Sequence, residues 1–188
     1  MGIKMKKNIL LGALALVSLS GCFSTQYYVL SMASTPVHTY HDTHLSIGIE
    51  KVSLPHYLFK REIAVASSSN AIHFLSDTWA ESLDKGLTHR LVSFMQKKFN
   101  QPYVNLYPWG VGKQPDRRVK VAVSRFIAKG ESVYLDANWE IENMHTHTIS
   151  AKLFSTRIPC SDNAESIVSA MDEAFTQLEE KISQAVEK

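Results

Sequence analysis

The sequence predicts a single α+β domain in which two long amphipathic helices pack on a largely antiparallel sheet. Its 188 residues, of which 45% are hydrophobic, are enough for one globular core and argue against disorder. Two long stretches repeat apolar residues every three or four positions, and the segments around them alternate apolar with polar residues. The resulting order of strands, helix, strands and helix is typical of an α+β layer.

Short apolar or alternating segments separated by turns predict the strands. They cover residues 27–30, 45–49 with Val52, 63–66, 71–75, 119–123, 133–141 and 148–154. The polar stretch 31–43 predicts a loop, and residues 142–147 predict the connection of a hairpin.

Two apolar stripes predict the helices. The first helix is predicted to begin at Thr78-Trp79-Ala80-Glu81, which has the spacing of a capping box, and to end near Lys97-Lys98. Its stripe consists of Trp79, Leu83, Leu87, Leu91, Phe94, Met95 and Phe99. The second helix is predicted to begin near Asp162. Its stripe consists of Ile167, Val168, Met171, Ala174, Phe175, Leu178, Ile182 and Val186.

The first 21 residues have the form of a cleaved signal peptide. A basic start with three lysines is followed by an 11-residue apolar region, which is too short to span a bilayer as a stable helix. A retained membrane anchor and a plain secretory signal are the alternatives. Leu-Ser-Gly-Cys at residues 19–22 resembles the bacterial lipobox, which favours cleavage before Cys22 and acylation of that residue. We therefore expect a signal peptide at 1–21, a lipidated tether at 22–26 and the folded domain at 27–188.

The acyl chains expected on Cys22 attach the domain to a membrane. Two or three chains give stable membrane anchoring, whereas one chain does not. Phe23 follows the cysteine, and by resemblance to enterobacterial lipoproteins the absence of Asp at this position favours the outer membrane. The domain is thus expected on the inner leaflet of the outer membrane, facing the periplasm.

The net charge argues against one class of partner, and the number of cysteines limits disulfide formation. After removal of residues 1–21, 17 basic and 18 acidic residues remain, a net charge of −1, which argues against nucleic acid as a partner. If Cys22 is acylated, Cys160 cannot form an intramolecular disulfide. We expect Cys160 to be a small buried or half-buried thiol, with intermolecular pairing as the alternative.

The histidines do not have the spacing of a metal site. His38, His41 and His44 lie in a stretch that is a poor helix, and His145 and His147 lack Cys, Asp or Glu at the usual companion positions. We therefore expect neither a metal nor a cofactor.

The sequence gives no positive support for an enzyme. It contains no nucleophile elbow, P-loop or dinucleotide-binding motif. The carboxylates at Asp77, Glu81 and Asp84 are explained by helix capping. A lipid-modifying hydrolase remains an alternative, although no nucleophile is placed for it.

Tyr57, Leu58 and Phe59 are the candidate partner-binding residues. They lie in a predicted turn flanked by Pro55 and Lys60 rather than in a periodic element, and an exposed aromatic cluster at such a position is typical of an interface anchor. Ordinary loop packing is the alternative interpretation.

Several motifs, in order along nearly the whole mature chain, resemble the ABC-type transport auxiliary lipoprotein family, PqiC-like. They are the lipobox at Cys22, Tyr-Tyr-Val-Leu at 27–30, Leu-Pro-x-Tyr-Leu at 54–58, Trp-Ala-Glu-x-Leu-Asp at 79–84, Tyr-Pro-Trp at 107–109 and Ala-Asn-Trp at 137–139. Where the family often has Asp-Arg-Pro-Gln after Tyr-Leu, this chain has Phe-Lys-Arg-Glu at 59–62.

The resemblance implies a non-catalytic outer-membrane lipoprotein that works with a periplasmic MCE-domain protein, PqiB-like, in lipid movement between membranes and in envelope integrity. Docking as a homo-oligomer, with copies arranged in a ring, is one arrangement that we consider. A structural or assembly lipoprotein of an outer-membrane protein complex is the alternative function.

Overall fold

A computed structural model describes residues 25–30, 32, 35–40, 44–110 and 113–187. Within these residues the chain forms eight strands, two α-helices and a 3-10 turn at His56–Phe59. In chain order the elements are β1 (Tyr27–Tyr28), β2 (Ile47–Ile49), β3 (Glu62–Ala66), β4 (Ile72–Trp79), α1 (Leu83–Phe99), β5 (Val104–Leu106), β6 (Arg117–Lys129), β7 (Ser132–Asn143), β8 (Ile149–Pro159) and α2 (Ala164–Val186).

The three longest strands, β6, β7 and β8, form an antiparallel ribbon. The turn between β6 and β7 contains Gly130 at a φ of 59°, a conformation that glycine adopts without steric cost. The other edge of β6 is shared by two groups of strands. Its beginning pairs with β2, which pairs with β5, and its end pairs with β3, which is followed by β4 and β1. The sheet is therefore mixed, because β1, β2 and β5 join it through parallel pairs.

Both helices cover one face of this sheet. The alternation along β7 buries Val133, Leu135, Ala137, Trp139 and Ile141 on the helix side. The second helix packs on β7 and β8, and its Phe175 ring lies 6.4 Å from the Phe126 ring of β6. The opposite face of the ribbon carries ion pairs, among them Arg125–Asp136 at 2.6 Å. The predicted single α+β domain with two helices on one sheet is confirmed.

The predicted start of the first helix is wrong. Thr78 and Trp79 end strand β4, and α1 begins at Leu83 after the N-cap residue Ser82. The Trp79 N–H donates to the Arg61 carbonyl at 2.6 Å, so this backbone belongs to the sheet. The Thr78 N–H, which a capping box would have bonded to the Glu81 side chain, donates instead to the Gln26 carbonyl.

Other boundaries move by a few residues. The second helix begins at Ala164 rather than near Asp162, because the side chain of Asn163 accepts a hydrogen bond from the Ser166 N–H at 2.9 Å. Strand β8 continues to Pro159, five residues beyond its predicted end, and strand β5 was not predicted.

Candidate functional site

The predicted contact residues lie on the 3-10 turn between β2 and β3, where one is buried, one is half-buried and one is exposed. Leu58 is only 4% exposed and belongs to the core. Tyr57 is half-buried, and its hydroxyl oxygen accepts a hydrogen bond from the Phe126 N–H at 3.2 Å, beside the bulge in β6. Burial raises the pKa of Tyr57. These two residues fix the turn to the body of the domain.

Phe59 projects from this fixed turn. Its side chain is 51% exposed, and its ring centroid lies 5.8 Å from that of His56 at the other end of the turn. The turn thus presents an aromatic side chain to solvent from a backbone that is held in place.

Lys60 and Arg61, which follow Phe59, are tied to β4. The ammonium nitrogen of Lys60 lies 5.5 Å from the centroid of the Phe74 ring. The Arg61 guanidinium donates to the carbonyls of Trp79 and Ala80 at 3.4 and 3.5 Å. Basic side chains therefore occupy the edge of the sheet next to the exposed turn.

The N-terminal tether leaves the domain beside β4. The Gln26 N–H donates to Asp77 Oδ1 at 3.1 Å, and the Thr78 N–H donates to the Gln26 carbonyl at 3.1 Å. These contacts fix the chain four residues after Cys22, which itself lies outside the described residues together with Phe23.

A buried ion-pair cluster joins the two helices, and sequence reasoning missed it. Arg90 of α1 and Glu179 of α2 are both 0% exposed, and Arg90 Nε lies 3.2 Å from Glu179 Oε2. The same guanidinium pairs with the Asp172 side chain and donates to Thr176 Oγ1 at 2.7 Å. Burial raises the pKa of Glu179 to about 7, and the neighbouring Arg90 charge only partly offsets this effect. This cluster fixes the register of one helix against the other.

A second pair lies near the ends of the same helices. Lys98 is 2% exposed, and its ammonium group lies 2.6 Å from Glu180 Oε2 and 5.3 Å from the centroid of the Tyr40 ring. Burial, together with Glu187, raises the pKa of Tyr40 to about 12. The segment around Tyr40 is thereby held against both helices.

Several other chemistry-bearing side chains are engaged in structural contacts. His145 Nε2 lies 2.7 Å from Asp116 Oδ1 at the β7–β8 loop. Burial alone would raise the pKa of Asp116, but its hydrogen bonds to Ser46 and to His145 hold it at about 2. Of the three predicted capping carboxylates, Asp84 lies in the first turn of α1 and also pairs with Lys51 at 2.5 Å.

Within the parts of the chain that the structure describes, no group of side chains is suited to hold a metal ion and no helix is suited to span a membrane. No three His, Cys, Asp or Glu side chains come together there in a way that could hold a metal ion. His38 and His44 are exposed, while His41 lies outside the described residues. Neither described helix combines the length and apolar content needed to cross a bilayer. Cys160 is half-buried, and burial raises the pKa of its thiol.

Two solved structures share this fold. A crystal structure described as that of an uncharacterized protein superposes with a TM-score of 0.69 and 18% identity, covering 87% of this chain and 99% of the other. Protein XCC0632 from Xanthomonas campestris gives a TM-score of 0.71 and 14% identity, covering 84% of this chain and 92% of its own. At these identities the likeness shows the fold alone. No curated protein matches the chain.

The family follows from the sequence match. Residues 28–183 match the family described as the ABC-type transport auxiliary lipoprotein component. The chain therefore belongs to this family, and the resemblance inferred from its motifs is confirmed. As a lipoprotein family of transport auxiliaries, it is associated with the cell envelope and with a transport partner.

Proposed function

We propose that the protein is a non-catalytic accessory component of an MCE-type intermembrane lipid transport system, held by acyl chains on Cys22 in the inner leaflet of the outer membrane. The observation that carries the proposal is the family match over residues 28–183. The lipobox at residues 19–22 supports the anchor, and Phe23 supports the outer membrane as its location.

Phe59 is the residue that we assign to contact with the periplasmic partner. A half-exposed aromatic ring on a fixed turn resembles the anchor side chains that dominate protein interfaces, because little freedom is left to lose on binding. Tyr57 and Leu58 contribute by holding the turn through the bond to Phe126 and through burial.

The contacts of the polar side chains support an accessory role rather than an enzymatic one. Asp84 is paired with Lys51, and Asp116 with His145. The hydroxyl of Ser67 accepts a hydrogen bond from the Ala71 N–H at 3.2 Å, so it stabilises the β3–β4 turn. These groups hold loops and strands in place, whereas a catalytic acid, base or nucleophile needs to face a substrate.

The proposal is tested by mild crosslinking of the full-length lipoprotein in the envelope, followed by detergent extraction and identification of the captured proteins by mass. Recovery of an MCE-domain protein is the expected result. Recovery of β-barrel assembly components alone would contradict the transport role and favour the alternative of a structural or assembly lipoprotein.

The assignment of Phe59 to the partner contact is tested by comparing Phe59→Ala with Tyr103→Ala in the same crosslinking experiment. Tyr103 is 55% exposed, so the two variants remove aromatic rings of similar size and exposure. We expect Phe59→Ala to reduce recovery of the partner and Tyr103→Ala to leave it unchanged, with melting temperatures close to wild type for both. Equal recovery with the two variants would remove Phe59 from the interface.

A further inference from the structure

The direction of the first strand indicates which end of the domain lies near its lipid anchor. Strand β1 pairs parallel to β4, with Tyr27 opposite Thr78 and Tyr28 opposite Trp79. The chain before Tyr27 therefore leads toward the beginning of β4, and Gln26 is bonded at Asp77. The beginning of β4 is also where the β3–β4 turn, residues 67–71, projects from the sheet.

The tether is long enough to bring the anchor toward this turn. Four peptide steps separate Gln26 from Cys22, so the two Cα atoms lie at most about 14 Å apart. Strand β4 from Asp77 back to Ile72 spans about 17 Å. The reach of the anchor thus extends along most of β4 in the direction of the turn.

The surface at this end combines apolar and cationic side chains. Ile72 and Phe74 are 38% and 40% exposed, and both lie on the sheet face opposite the helices, where they pair with Ala66 and Ala64. Lys60 extends over the Phe74 ring. Lys129, at the end of β6, donates to Asn70 Oδ1 at 2.6 Å on the turn itself. We call these residues the tip patch: Lys60, Asn70, Ile72, Phe74 and Lys129.

This combination matches a phospholipid headgroup region. Apolar side chains partition into the boundary between headgroups and acyl chains, while lysines remain at the anionic headgroups. Each lysine near an anionic leaflet favours association by about fivefold. The acidic side chains at this end are Glu131 on the β6–β7 turn, Asp162 after β8 and Glu165 in the first turn of α2, and strands β3 and β6 separate the first two from β4.

We propose that the tip patch lies against the leaflet that holds the acyl chains, so that the β3–β4 turn faces an anionic phospholipid surface. This inference rests on the proposed acylation of Cys22. It also orients the domain, because the 3-10 turn carrying Phe59 precedes the start of β3 and therefore lies at the end of that strand away from the membrane. The β3–β4 turn and Phe59 are then at opposite ends of one hairpin, and Lys60, which follows Phe59, extends from that end toward Phe74.

The test uses full-length, acylated protein in vesicles that contain anionic phospholipid, with Cys160→Ser as the background. One variant adds Ser68→Cys on the β3–β4 turn, and its matched control adds Thr146→Cys on the β7–β8 loop at the opposite end of the ribbon. Each new thiol carries a fluorophore, and nitroxide-labelled lipids serve as quenchers. We expect loss of emission from the label at residue 68 and none from the label at residue 146.

A vesicle flotation step separates this inference from the anchor on which it rests. Protein that floats with the vesicles but shows equal quenching at residues 68 and 146 would overturn the tip contact and leave the anchor in place. Protein that does not float, or that floats equally well after Cys22→Ser, would remove the anchor and the inference with it.

Substitutions in the patch give an independent readout. Phe74→Ser should reduce quenching at residue 68, whereas Ile149→Ser, which removes an apolar side chain that is 63% exposed on β8, should not. Lys60→Glu should weaken quenching on anionic vesicles and have little effect on neutral ones. Unchanged quenching in both Phe74→Ser and Lys60→Glu would contradict the proposed contact.

Discussion

Replacing Arg90 by Met should destabilise the domain strongly, because it leaves the Glu179 carboxyl group in the core without its guanidinium partner. Arg90 is fully buried and also bonds to Asp172 and Thr176. Removing one member of a buried ion pair costs about 3–5 kcal/mol. For a chain of this length, each kcal/mol lowers the melting temperature by about 2–4 °C, so we expect a decrease of about 6–20 °C.

The assay is thermal unfolding of the full-length protein in detergent, monitored by circular dichroism. The double variant Arg90→Met, Glu179→Leu removes both buried charges and should recover most of the loss, because a buried pair replaced by apolar side chains is often neutral or stabilising. A single variant within about 1 kcal/mol of wild type, or a double variant as unstable as the single one, would refute the reasoning.

The same pair predicts a dependence of stability on pH. The pKa of Glu179 is raised from 4.5 to about 7, so between these values the folded state binds more protons than the unfolded state. Its contribution to stability is therefore complete below pH 4.5 and is lost as pH rises toward 7. Glu179→Gln should abolish this component of the pH profile. A wild-type profile that the substitution does not alter would contradict the raised pKa.

Three further substitutions test the local geometry, each by the change in unfolding free energy. Tyr57→Phe removes the acceptor of the Phe126 N–H and should cost about 1–3 kcal/mol, and no loss would mean that the bond does not support the turn. Gly48→Ala places a Cβ 2.9 Å from Pro115 Cγ and should cost about 1–3 kcal/mol, whereas a neutral result would mean that residues 113–116 shift at little energetic cost. Asn163→Ala removes the N-cap of α2 and should cost about 1 kcal/mol, while Asn163→Ser should preserve most of the stability.

Elements with a long regular period could be predicted from the sequence. The apolar stripe of α2 and the apolar alternation of β7 extend over many residues, so each pattern fits only one type of secondary structure. The structure packs the apolar side chains of both elements into the core as expected. The start of α1 was predicted incorrectly because Trp79 lies four residues before Leu83 and fits a helical stripe as well as a strand end. Only pairing with Arg61 and Tyr28, distant in sequence, distinguishes the two.

The internal contacts of the candidate site could not be predicted, because their partners are far apart in the chain. Tyr57 and Phe126 are 69 residues apart, and Arg90 and Glu179 are 89 apart. A signal for the second pair was present. Arg90 lies three residues after Leu87 on the stripe of α1, and Glu179 lies four after Phe175 on the stripe of α2. Opposite charges on two otherwise apolar stripes indicate a buried pair between the helices.

The most direct test of the proposed role is site-specific photocrosslinking in the living cell envelope. A photoreactive amino acid replaces Phe59 in one full-length variant and Tyr103 in the matched control, and the crosslinked species are identified by mass. We expect residue 59 to give a crosslink to an MCE-domain protein that the control does not give. Crosslinks from residue 59 to β-barrel assembly proteins alone, or the same products from both positions, would contradict it.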